Sequence, residues 1–446
     1  MHLIRLVGCL QALFTTRADE LALAAGFIRR RHALTGSAFL RAVSSVWNIK
    51  PDASYERLAL PLGLSKQSLF NRFNPRAVSF CRDVLGEALG HFFGADAAVT
   101  PLLGRFGGVY LDDCTQLPLP NACADRFPGC GSYSGCGKAG MKVFVRLELR
   151  TGGIAHMDFH PARAADANIV NAAPELPPGS LHLADLGFAD FDAMRQEMDR
   201  GVFRISRLPL HTTIRLDGQQ DARPLAEMLA RWRRQGLARV DLGGVTAGQK
   251  HHAAGRLVAL ACPEDVARQR LRKAAENARR RCKPLSERQK EKCYWQVLFG
   301  NVPADQLSAE QVWQVYRLRW QIELLLKRFK SHGGLRRSSC EKPDRVECEW
   351  YVKLLLQLVK NWLRLLGGGP LYGVNQVLLG EVVTEYARGI FAALDGPVTR
   401  LRRLLGRLQR DLRNLRPRTS RRKRPPASQA FAAPTAEPAS PTPFPA

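Results

Sequence analysis

The chain has 446 residues, 45% of them hydrophobic, which is enough to bury the core of a protein with several domains. Its 24% of charged residues is ordinary, so the composition excludes collagen, a coiled coil and wholesale disorder. The charge balance is unusual, because 67 Lys and Arg face 40 Asp and Glu, a formal net charge of +27 at pH 7. This charge attracts polyanions, and it predicts nucleic acid as the leading partner.

Hydrophobic runs and cysteines bear on the compartment of the protein. No stretch reaches the roughly 18 uncharged apolar residues that a membrane span needs, and Arg5 interrupts the apolar start, so we predict neither a span nor a signal peptide. The eleven cysteines include no C-x-x-C pair. Cys123, Cys130 and Cys136 cluster loosely; a zinc site and ordinary thiols both stay open there, with thiols favoured. Reduced thiols predict a cytoplasmic protein.

Residues 20–100 carry apolar side chains at helical spacing. Within them the segment LALPLGLSKQSLFNRF, residues 58–73, places Gly63 at a turn and Ser65 at the start of a second helix. This pattern is typical of a helix-turn-helix, and a plain helical hairpin fits it nearly as well. In the helix-turn-helix interpretation, four side chains on the exposed face of the second helix contact DNA: Lys66, Gln67, Asn71 and Arg72.

From residue 106 to about 210 the sequence period becomes that of strands. FGGVYLDD predicts a strand that ends at Asp112 and Asp113, and MKVFVRLELR and GGIAHMDFH predict two more. After a gap with little pattern, SLHLADLGF predicts a strand that ends at Asp185. FADFDAMRQEMDRG then predicts a helix ended by Gly201, and VFRISRL predicts a last strand.

Residues 211–300 mix strand and helix patterns. ARVDLGG, RLVALACP and YWQVLFGNVP predict strands. Between the last two lies a strongly basic helical stretch, RQRLRKAAENARRRCKPLSERQKEK, residues 268–292. A solvated surface and a ridge that follows DNA phosphates explain it about equally well, and both interpretations stay open.

The last third of the chain is predicted to be helical. A long helix runs from Ser308 to about Gly334, with Ser308 and Gln311 as a capping box, and a further helix spans 346–366. Residues 402–424 hold eleven Lys or Arg and one acid. The Pro- and Ala-rich end after them predicts a disordered tail.

The long helix carries the strongest chemical signal, the segment YRLRWQIELLLKRFK. Tyr316, Arg319, Glu323 and Lys330 are spaced by three, four and seven residues, so on one helix they share a narrow edge. A solvated charged face is the ordinary explanation of such an edge. Apolar residues crowd around Glu323, however, and a partly buried carboxylate needs a cationic partner, which favours a functional site. The guanidinium and ammonium groups are suited to holding phosphates.

Two predicted strands end in carboxylates, one at Asp112 or Asp113 and the other at Asp185. If these strands are neighbours, their carboxylates can meet Glu323 over one edge of the sheet. Each single Asp is more often a turn or cap residue, so only the combination carries weight. Three carboxylates repel unless cations hold them, and oxygen ligands favour Mg²⁺ or Mn²⁺ over zinc. Two such ions can activate the attacking oxygen and stabilise the leaving oxygen at phosphorus.

These residues resemble the DDE transposases of the IS-four-type family of bacterial insertion sequences, to which the Tn-five transposase also belongs. Tyr316, Arg319, Glu323 and Lys330 match in full the family hallmark Tyr-x-x-Arg-x-x-x-Glu-x-x-x-x-x-x-Lys. DCTQLPLP resembles the segment around the first catalytic Asp of the family, and LADLGFADFDAMRQEMDRGVFRISRL the segment around the second. The resemblance covers about residues 40–370.

The resemblance also implies roles for individual residues. It implies that a metal-binding catalytic triad holds two Mg²⁺ ions, with Mn²⁺ as a substitute: Asp113, Asp185 and Glu323. It implies that three residues bind DNA phosphates: Tyr316, Arg319 and Lys330. Trp295 stands near the position where a Trp of relatives stacks on a flipped base, and a core Trp on a strand is the more common explanation.

Three positions depart from the family pattern. Asp112 precedes Asp113 and is an alternative first ligand; we prefer Asp113 because it directly precedes a small residue and a Thr, as the family ligand does. Leu326 stands where an aromatic residue is common, and Gly300 where Thr is common. Neither substitution removes a ligand, and whether this copy is active stays open.

The implied fold is α/β: a ribonuclease-H-like catalytic domain, a mixed sheet flanked by helices, interrupted by a β-rich insertion and preceded by an all-α N-terminal domain. The predicted boundaries are 1–100 for the DNA-binding helices, 101–210 and 301–370 for the catalytic core, 211–300 for the insertion, 371–415 for a helical region and 416–446 for the tail.

The implied function is cut-and-paste transposition through hydrolysis, a hairpin intermediate and strand transfer. Its partners are double-stranded transposon ends and target DNA, bound by a homodimer in the bacterial cytoplasm at the nucleoid. A hydrolytic nuclease of the same fold and a non-catalytic DNA-binding remnant of a transposase stay open as alternatives.

Overall fold

The structure is a computed structural model, which describes residues 3–29, 34–95, 101–131, 137–188, 190–218, 221–249, 252–331, 334–335, 340–368 and 376–415. In chain order its helices α1 to α16 are Leu3–Phe14, Thr16–Ala24, Gly36–Ile49, Tyr55–Ala59, Lys66–Arg72, Pro75–Leu89, Asp166–Ala172, Phe191–Asp199, Leu225–Arg234, Glu264–Arg280, Glu287–Tyr294, Ala309–Arg317, Trp320–Ser331, Pro343–Leu365, Gln376–Ala393 and Val398–Asn414. Its strands β1 to β11 are Val109–Pro118, Pro128–Gly131, Gly137–Glu148, Gly153–Pro161, Leu181–Ala184, Phe203–Ser206, Thr213–Leu216, Ala222–Pro224, Arg239–Ala247, Ala253–Ala261 and Trp295–Gly300.

The chain divides into two compact units, and strand β1 contributes residues to both. Within the described ranges, the first unit holds residues 3–95, 113–165 and 321–415, and the second holds 101–112 and 166–320. Among the helices of these ranges, none combines the length and apolarity needed to cross a bilayer. Cys136 and the tail 416–446 lie outside the described residues.

Helix α14 is the centre of the first unit. Nearly all of its residues from Arg345 onward are buried, and it packs against α3, α6, α15 and β4. A helix buried on all sides has no solvated face for its charges, so they must find partners inside the protein. Lys353 and Glu349 form an ion pair one turn apart, and the guanidinium of Arg345 donates to the carbonyl oxygen of Ala53.

The predicted helices of residues 20–100 are present. Helix α4 is followed by a short 3₁₀ turn, by Gly63 with a φ of 63° and by α5. Ser65 caps α5 by accepting a hydrogen bond from the amide of Ser68 at 3.1 Å. The local structure is therefore a helix, a turn and a helix, as the sequence predicts.

In the first unit, β3 lies between β1 and the short strand β2, and β3 also pairs with β4. The pairings of β3 with β2 and with β4 are antiparallel. The prediction that the first strand ends at Asp112 and Asp113 is wrong, because β1 continues to Pro118. The acids resemble a strand end in sequence, but the neighbouring strand β3 carries the hydrogen-bonded ladder further.

The sheet of the second unit has the order β1-β5-β6-β11-β10-β9-β7-β8. Strand β5 pairs in parallel with both β1 and β6, and the later strands pair antiparallel. The strands of residues 211–300 thus extend this sheet, and three helices, α9 to α11, interrupt them. At the junction, a β-carbon on Gly300 would lie 1.9 Å from the carbonyl oxygen of Arg204, so only glycine fits there.

The prediction of one long helix from Ser308 to about Gly334 is wrong. The capping box of Ser308 and Gln311 is present, but α12 ends at Arg317 and α13 begins at Trp320. The amides of Leu318 and Arg319 donate to carbonyl oxygens three residues back, each at 3.0 Å. These bonds tighten the chain into a 3₁₀-like turn and end the α-helical pattern.

A network of buried charges lies inside the second unit. The side chains of Asp112 on β1 and His182 on β5 are fully buried, and His182 Nε2 lies 3.3 Å from Asp112 Oδ2. On its other side, His182 Nδ1 contacts Glu197 Oε1 at 2.9 Å. Arg204 donates from Nη1 to Glu197 Oε2 at 2.6 Å and from Nη2 to the carbonyl oxygen of Phe188 at 2.7 Å. The network links β1, β5, β6 and α8 through paired charges.

Burial opposes the charged forms of His182 and Glu197, but their charged partners outweigh it. Burial acts to lower the pKa of His182, yet the carboxylates of Glu197 and Asp112 raise that pKa above its usual value. Burial acts to raise the pKa of Glu197, yet His182 and Arg204 lower it to about 2. The pairing therefore favours the charged forms of Glu197 and His182 in the folded protein.

We predict that Glu197→Gln lowers the free energy of unfolding by roughly 3–5 kcal/mol, because it leaves the buried guanidinium of Arg204 without its carboxylate and removes the carboxylate that His182 contacts. Glu175→Gln is the matched control, since Glu175 pairs with Arg200 at 2.8 Å on the surface, and we expect a loss of about 0–1 kcal/mol. The measurement is urea denaturation of both variants and the parent chain at pH 7. Equal losses in the two variants would contradict the prediction.

The stability difference between the parent chain and Glu197→Gln also depends on pH. The pKa of Glu197 is about 2 in the folded chain, below the value of about 4.3 expected when unfolded. Its contribution to stability is therefore complete above the unfolded pKa and is lost as the pH falls toward 2. The stability difference between the parent chain and Glu197→Gln should shrink in that window.

Candidate active site

Asp185 directly follows β5, at the carboxyl end of three parallel strands. In open α/β sheets this edge is where ligands bind. The Asp185 side chain is 34% exposed, in contrast to the fully buried His182 three residues earlier on the same strand. The sequence-predicted second acid therefore lies at an accessible sheet edge.

Three side chains surround Asp185 within the second unit. Arg319 Nη2 lies 3.6 Å from Asp185 Oδ2, and Arg207 Nη1 lies 3.8 Å from Oδ1. The hydroxyl of Tyr316 donates to the carbonyl oxygen of Ala184 at 3.1 Å and lies 3.5 Å from Asp185 Oδ1. Two of the signature residues thus meet the predicted second acid.

Tyr316 is a hydrogen-bond donor at neutral pH. Burial raises the pKa of its phenol to about 12; Arg207, whose guanidinium carbon lies 5.7 Å from the ring centroid, acts to lower it. The phenol therefore keeps its proton and holds the carbonyl group at the end of β5.

Asp112 and Asp113 point to opposite faces of β1. Asp112 is fully buried in the charge network with His182, whereas Asp113 is half-buried. The amide of Cys114 donates to Asp113 Oδ1 at 2.8 Å. Because side chains alternate along a strand, the buried position of Asp112 directs Asp113 to the other face.

Helix α13 carries the other two signature residues in the first unit. Glu323 lies in its first turn and Lys330 in its last, and both side chains are half-buried. Seven residues separate them, which is nearly two helical turns, so they lie on one side of α13. The partial burial of Glu323 among apolar neighbours agrees with the sequence prediction, since Ile322 and Leu325 are fully buried.

The predicted site residues are distributed over both units. Tyr316, Arg319 and Asp185 meet in the second unit, while Asp113 and Glu323 belong to the first. In the part of the chain that the structure describes, no group of three His, Cys, Asp or Glu side chains is arranged to hold a metal ion. The three predicted ligands supply carboxylate oxygens alone, a donor set that suits a hard divalent cation.

Trp295 lies at the start of β11 and is 3% exposed. Its ring packs edge-on against Trp232, with 6.3 Å between ring centroids, in a hydrophobic core of the second unit. It also lines a cavity of about 350 Å³ together with Trp313 and the cations Arg207, Arg270 and Lys292. Trp295 is thus both a core residue and part of a cavity wall.

The predicted DNA-contacting residues of the N-terminal region lie on α5. Lys66, Gln67 and Asn71 are exposed and Arg72 is half-buried. Lys66 Nζ lies 2.6 Å from Glu56 Oε1, and Gln67 Nε2 donates to Asn71 Oδ1 at 3.2 Å.

Several residues around the site were missed by the sequence analysis. His182, Glu197 and Arg204 carry the charge network, and Arg207 faces Asp185. The sequence contains one weak signal for this charge network: His182 lies between two leucines of a buried strand, where a histidine needs a polar partner.

Comparison with known proteins places the chain in a family. A family model described as "Transposase DDE domain" matches residues 108–359, more than half of the chain. The transposase for insertion sequence element IS231F of Bacillus thuringiensis subsp. israelensis is 27% identical over 361 residues, 76% of this chain and 75% of the relative. The transposase for insertion sequence element IS1151 of Clostridium perfringens is 24% identical over 321 residues, 67% and 66% of the two chains.

A shorter match involves the putative transposase InsL for insertion sequence element IS186A of Escherichia coli strain K12. It is 36% identical over 101 residues, 22% of this chain and 27% of the relative. Enzymes with the matched domain generally use divalent metal ions. The resemblance that the signature residues indicate is confirmed: the chain belongs to the DDE transposase family, enzymes that cleave DNA and transfer its strands.

Proposed function

We propose that this transposase moves an insertion sequence by cut-and-paste, with Asp113, Asp185 and Glu323 as its catalytic metal ligands. The observation that carries the proposal is the placement of Asp185 at an accessible sheet edge within 4 Å of Arg319 and Tyr316. The predicted second acid and a signature residue 131 positions later in the chain, Tyr316, meet there.

The strand order supports a ribonuclease-H-like catalytic fold. In the first unit β3 lies between β1 and β4, and in the second β1, β5 and β6 run in parallel. The chain order of three strands, then a strand, a helix and a strand is the one that the sequence predicts, and the antiparallel β3–β4 hairpin and the parallel strands β1, β5 and β6 are compatible with the proposed fold. We infer that residues 101–210 and 301–370 build this core and that 211–300 is an insertion into it.

The donor set supports magnesium. Three carboxylates provide oxygen ligands only, and Mg²⁺ and Mn²⁺ prefer these ligands. When bound, two such ions would activate the attacking oxygen and stabilise the leaving oxygen at phosphorus. Asp113 fits the first ligand position better than Asp112, because Asp112 is buried against His182.

The reaction we propose repeats one displacement at phosphorus. Water first attacks the phosphodiester at the element's end and releases a 3′ hydroxyl. That hydroxyl attacks the opposite strand, which frees the flanking DNA and closes a hairpin. A second water opens the hairpin, and the released 3′ hydroxyl attacks target DNA. Each step forms one P–O bond and breaks one.

The signature residues divide these tasks. Arg319 has five N–H donors, so its guanidinium can contact Asp185 and a DNA phosphate together. Lys330 adds a second phosphate contact from α13. Tyr316 holds the end of β5 through Ala184, which orients Asp185 and the phosphates near it.

Other regions would bind the DNA outside the reaction centre. Exposed polar side chains support α5 as the helix that contacts end sequences, through Lys66, Gln67 and Asn71 with Arg72 at its end. Within 402–415, α16 buries its leucines and exposes its arginines, which supports salt-dependent affinity. We propose that a homodimer on paired ends is the active species, acting on genomic DNA in the bacterial cytoplasm at the nucleoid.

We predict that Asp113→Asn, Asp185→Asn and Glu323→Gln each lower Mg²⁺-dependent cleavage of an end-bearing duplex at least about 10³-fold, because each removes a ligand worth several kcal/mol of transition-state stabilisation. Asp199→Asn and Glu175→Gln make the same isosteric change at exposed acids, so their activity should match the parent chain. Products are resolved on denaturing gels.

The products also separate the alternatives. Hairpin and joined products that disappear in all three variants support the cut-and-paste transposase. Cleavage without any joined product would favour a hydrolytic nuclease. Metal-independent binding without cleavage, unchanged by the three substitutions, would leave a DNA-binding remnant.

We propose that Trp295 stacks on a base that leaves the duplex near the cleavage point, inside the cavity lined by Arg207, Arg270 and Lys292. We predict that Trp295→Leu slows hairpin formation and reduces quenching of a 2-aminopurine placed at the terminal base, while first-strand nicking changes little. Trp232→Leu is the matched control, since it removes the packing partner of Trp295 but not a wall of this cavity. Identical behaviour of the two variants would mean that Trp295 serves packing alone.

A further inference from the structure

Helices α10 and α11 form a two-helix arm, residues 264–294, inserted between paired strands. Strand β10 enters the arm and β11 leaves it, and Ala261 pairs with Trp295 across the base. The two helices pack against each other. Val266 and Ala267 are buried and Leu271, Ala274 and Ala278 are half-buried, so a narrow apolar face holds the arm together.

The charge of the arm is concentrated at its tip. The arm holds eleven Lys and Arg against five Asp and Glu. Residues 279–283 read RRRCK, and no acid occurs between Glu276 and Glu287. Cys282 has a φ of 50°, at the point where the chain turns from α10 toward α11. The four tip cations are exposed: Arg279, Arg280, Arg281 and Lys283.

The ion pairs of the arm lie away from this tip. Arg268 pairs with Glu264, Arg272 with Glu276 and Lys290 with Glu287. Within the described ranges, none of the ion pairs involves a tip cation. Four like charges in five residues repel one another and contribute nothing to packing, so the tip is the part of the arm best suited to a polyanion.

The base of the arm lies at the cavity that contains Trp295. Arg270 of α10 and Lys292, close to the end of α11, line that cavity, and Arg270 Nη1 lies 3.4 Å from the carbonyl oxygen of Trp295. Ten residues of helix separate Arg270 from Arg280, a rise of about 15 Å. This length matches four to five base-pair steps of roughly 3.4 Å each along a duplex.

We propose that the tip of this arm binds the phosphate backbone of duplex DNA, several base pairs from the DNA held at the cavity, without reading its sequence. The inference rests on the proposed function, since it assumes that DNA reaches the cavity. The ligand chemistry is a DNA phosphate, and the duplex is either the transposon end or the target. Arginine and lysine at an exposed turn suit point contacts to phosphates rather than base edges.

The test measures DNA affinity of the full-length chain by fluorescence anisotropy, in EDTA, from 50 to 200 mM NaCl. The duplexes are one that carries the element's end and one of random sequence. The variant carries Arg279→Gln, Arg280→Gln, Arg281→Gln and Lys283→Gln. Each lost phosphate contact should reduce the slope of log K against log salt by about 0.9, so four lost contacts reduce it by about 3.6.

Three further variants separate local contact from general charge. Arg279→Lys, Arg280→Lys and Arg281→Lys together keep the charge, and this variant should keep the slope of the parent chain. Arg280→Gln with Arg281→Gln removes two charges at the tip, and Arg195→Gln with Arg200→Gln removes two exposed charges on and beside α8. The tip pair should lower the slope by about 1.8 and the α8 pair by much less. Thermal melting checks that all variants fold.

The slopes show whether the tip contacts DNA and which of the two duplexes it contacts. If the slope falls only with the end-bearing duplex, the tip contacts the transposon end. If it falls only with the random duplex, the tip contacts target DNA. If it falls with both duplexes, the tip is one surface that binds DNA regardless of sequence. Slopes equal to the parent chain, or equal in the two double variants, would overturn the proposal. Because binding is measured without divalent metal, failure of the arm and failure of the cleavage mechanism are distinguishable.

Discussion

The buried pairing of Asp112, His182, Glu197 and Arg204 is the constraint on which the architecture of the candidate site depends. It links β1 and β5, which lead to Asp113 and Asp185, to β6, and it does so with charges that burial alone would penalise by several kcal/mol each. Directional ion pairs fix strand positions more narrowly than apolar contacts, which tolerate sliding. The two site acids are chain neighbours of this network, since Asp113 follows Asp112 and Asp185 lies three residues after His182.

Positive charge then organises the surroundings of Asp185. Arg207 comes from the end of β6 and Arg319 from the turn after α12, and both guanidinium groups lie within 4 Å of its carboxylate. Positively charged side chains also line the cavity of Trp295 and cover the tip of the arm. Part of the positive charge of the chain thus lies where a DNA backbone would run under this account.

Local signals in the sequence predicted much of this structure. The cap at Ser65, the capping box at Ser308, the strand before Asp185 and the helix that ends before Gly201 all rest on short-range chemistry, and all are present. The break between α12 and α13 was missed because the apolar period continues through it. Its turn is stabilised by distant contacts, from Tyr316 and Arg319 to the end of β5, which no local pattern encodes. The charge network was missed for the same reason, since its partners are brought together only by strand pairing. The signature residues themselves were recognisable, because their spacing and types are constrained by chemistry rather than by packing.

The central claim is that Asp113, Asp185 and Glu323 together hold divalent ions. It is tested most directly by titrating Mn²⁺ into the full-length protein bound to an end-bearing duplex and counting bound ions by electron paramagnetic resonance. The account predicts two bound ions per active site, a spin-coupled signal from the pair, and loss of that signal in Asp113→Asn, Asp185→Asn and Glu323→Gln. Binding of two coupled ions that is unchanged in all three variants would contradict it.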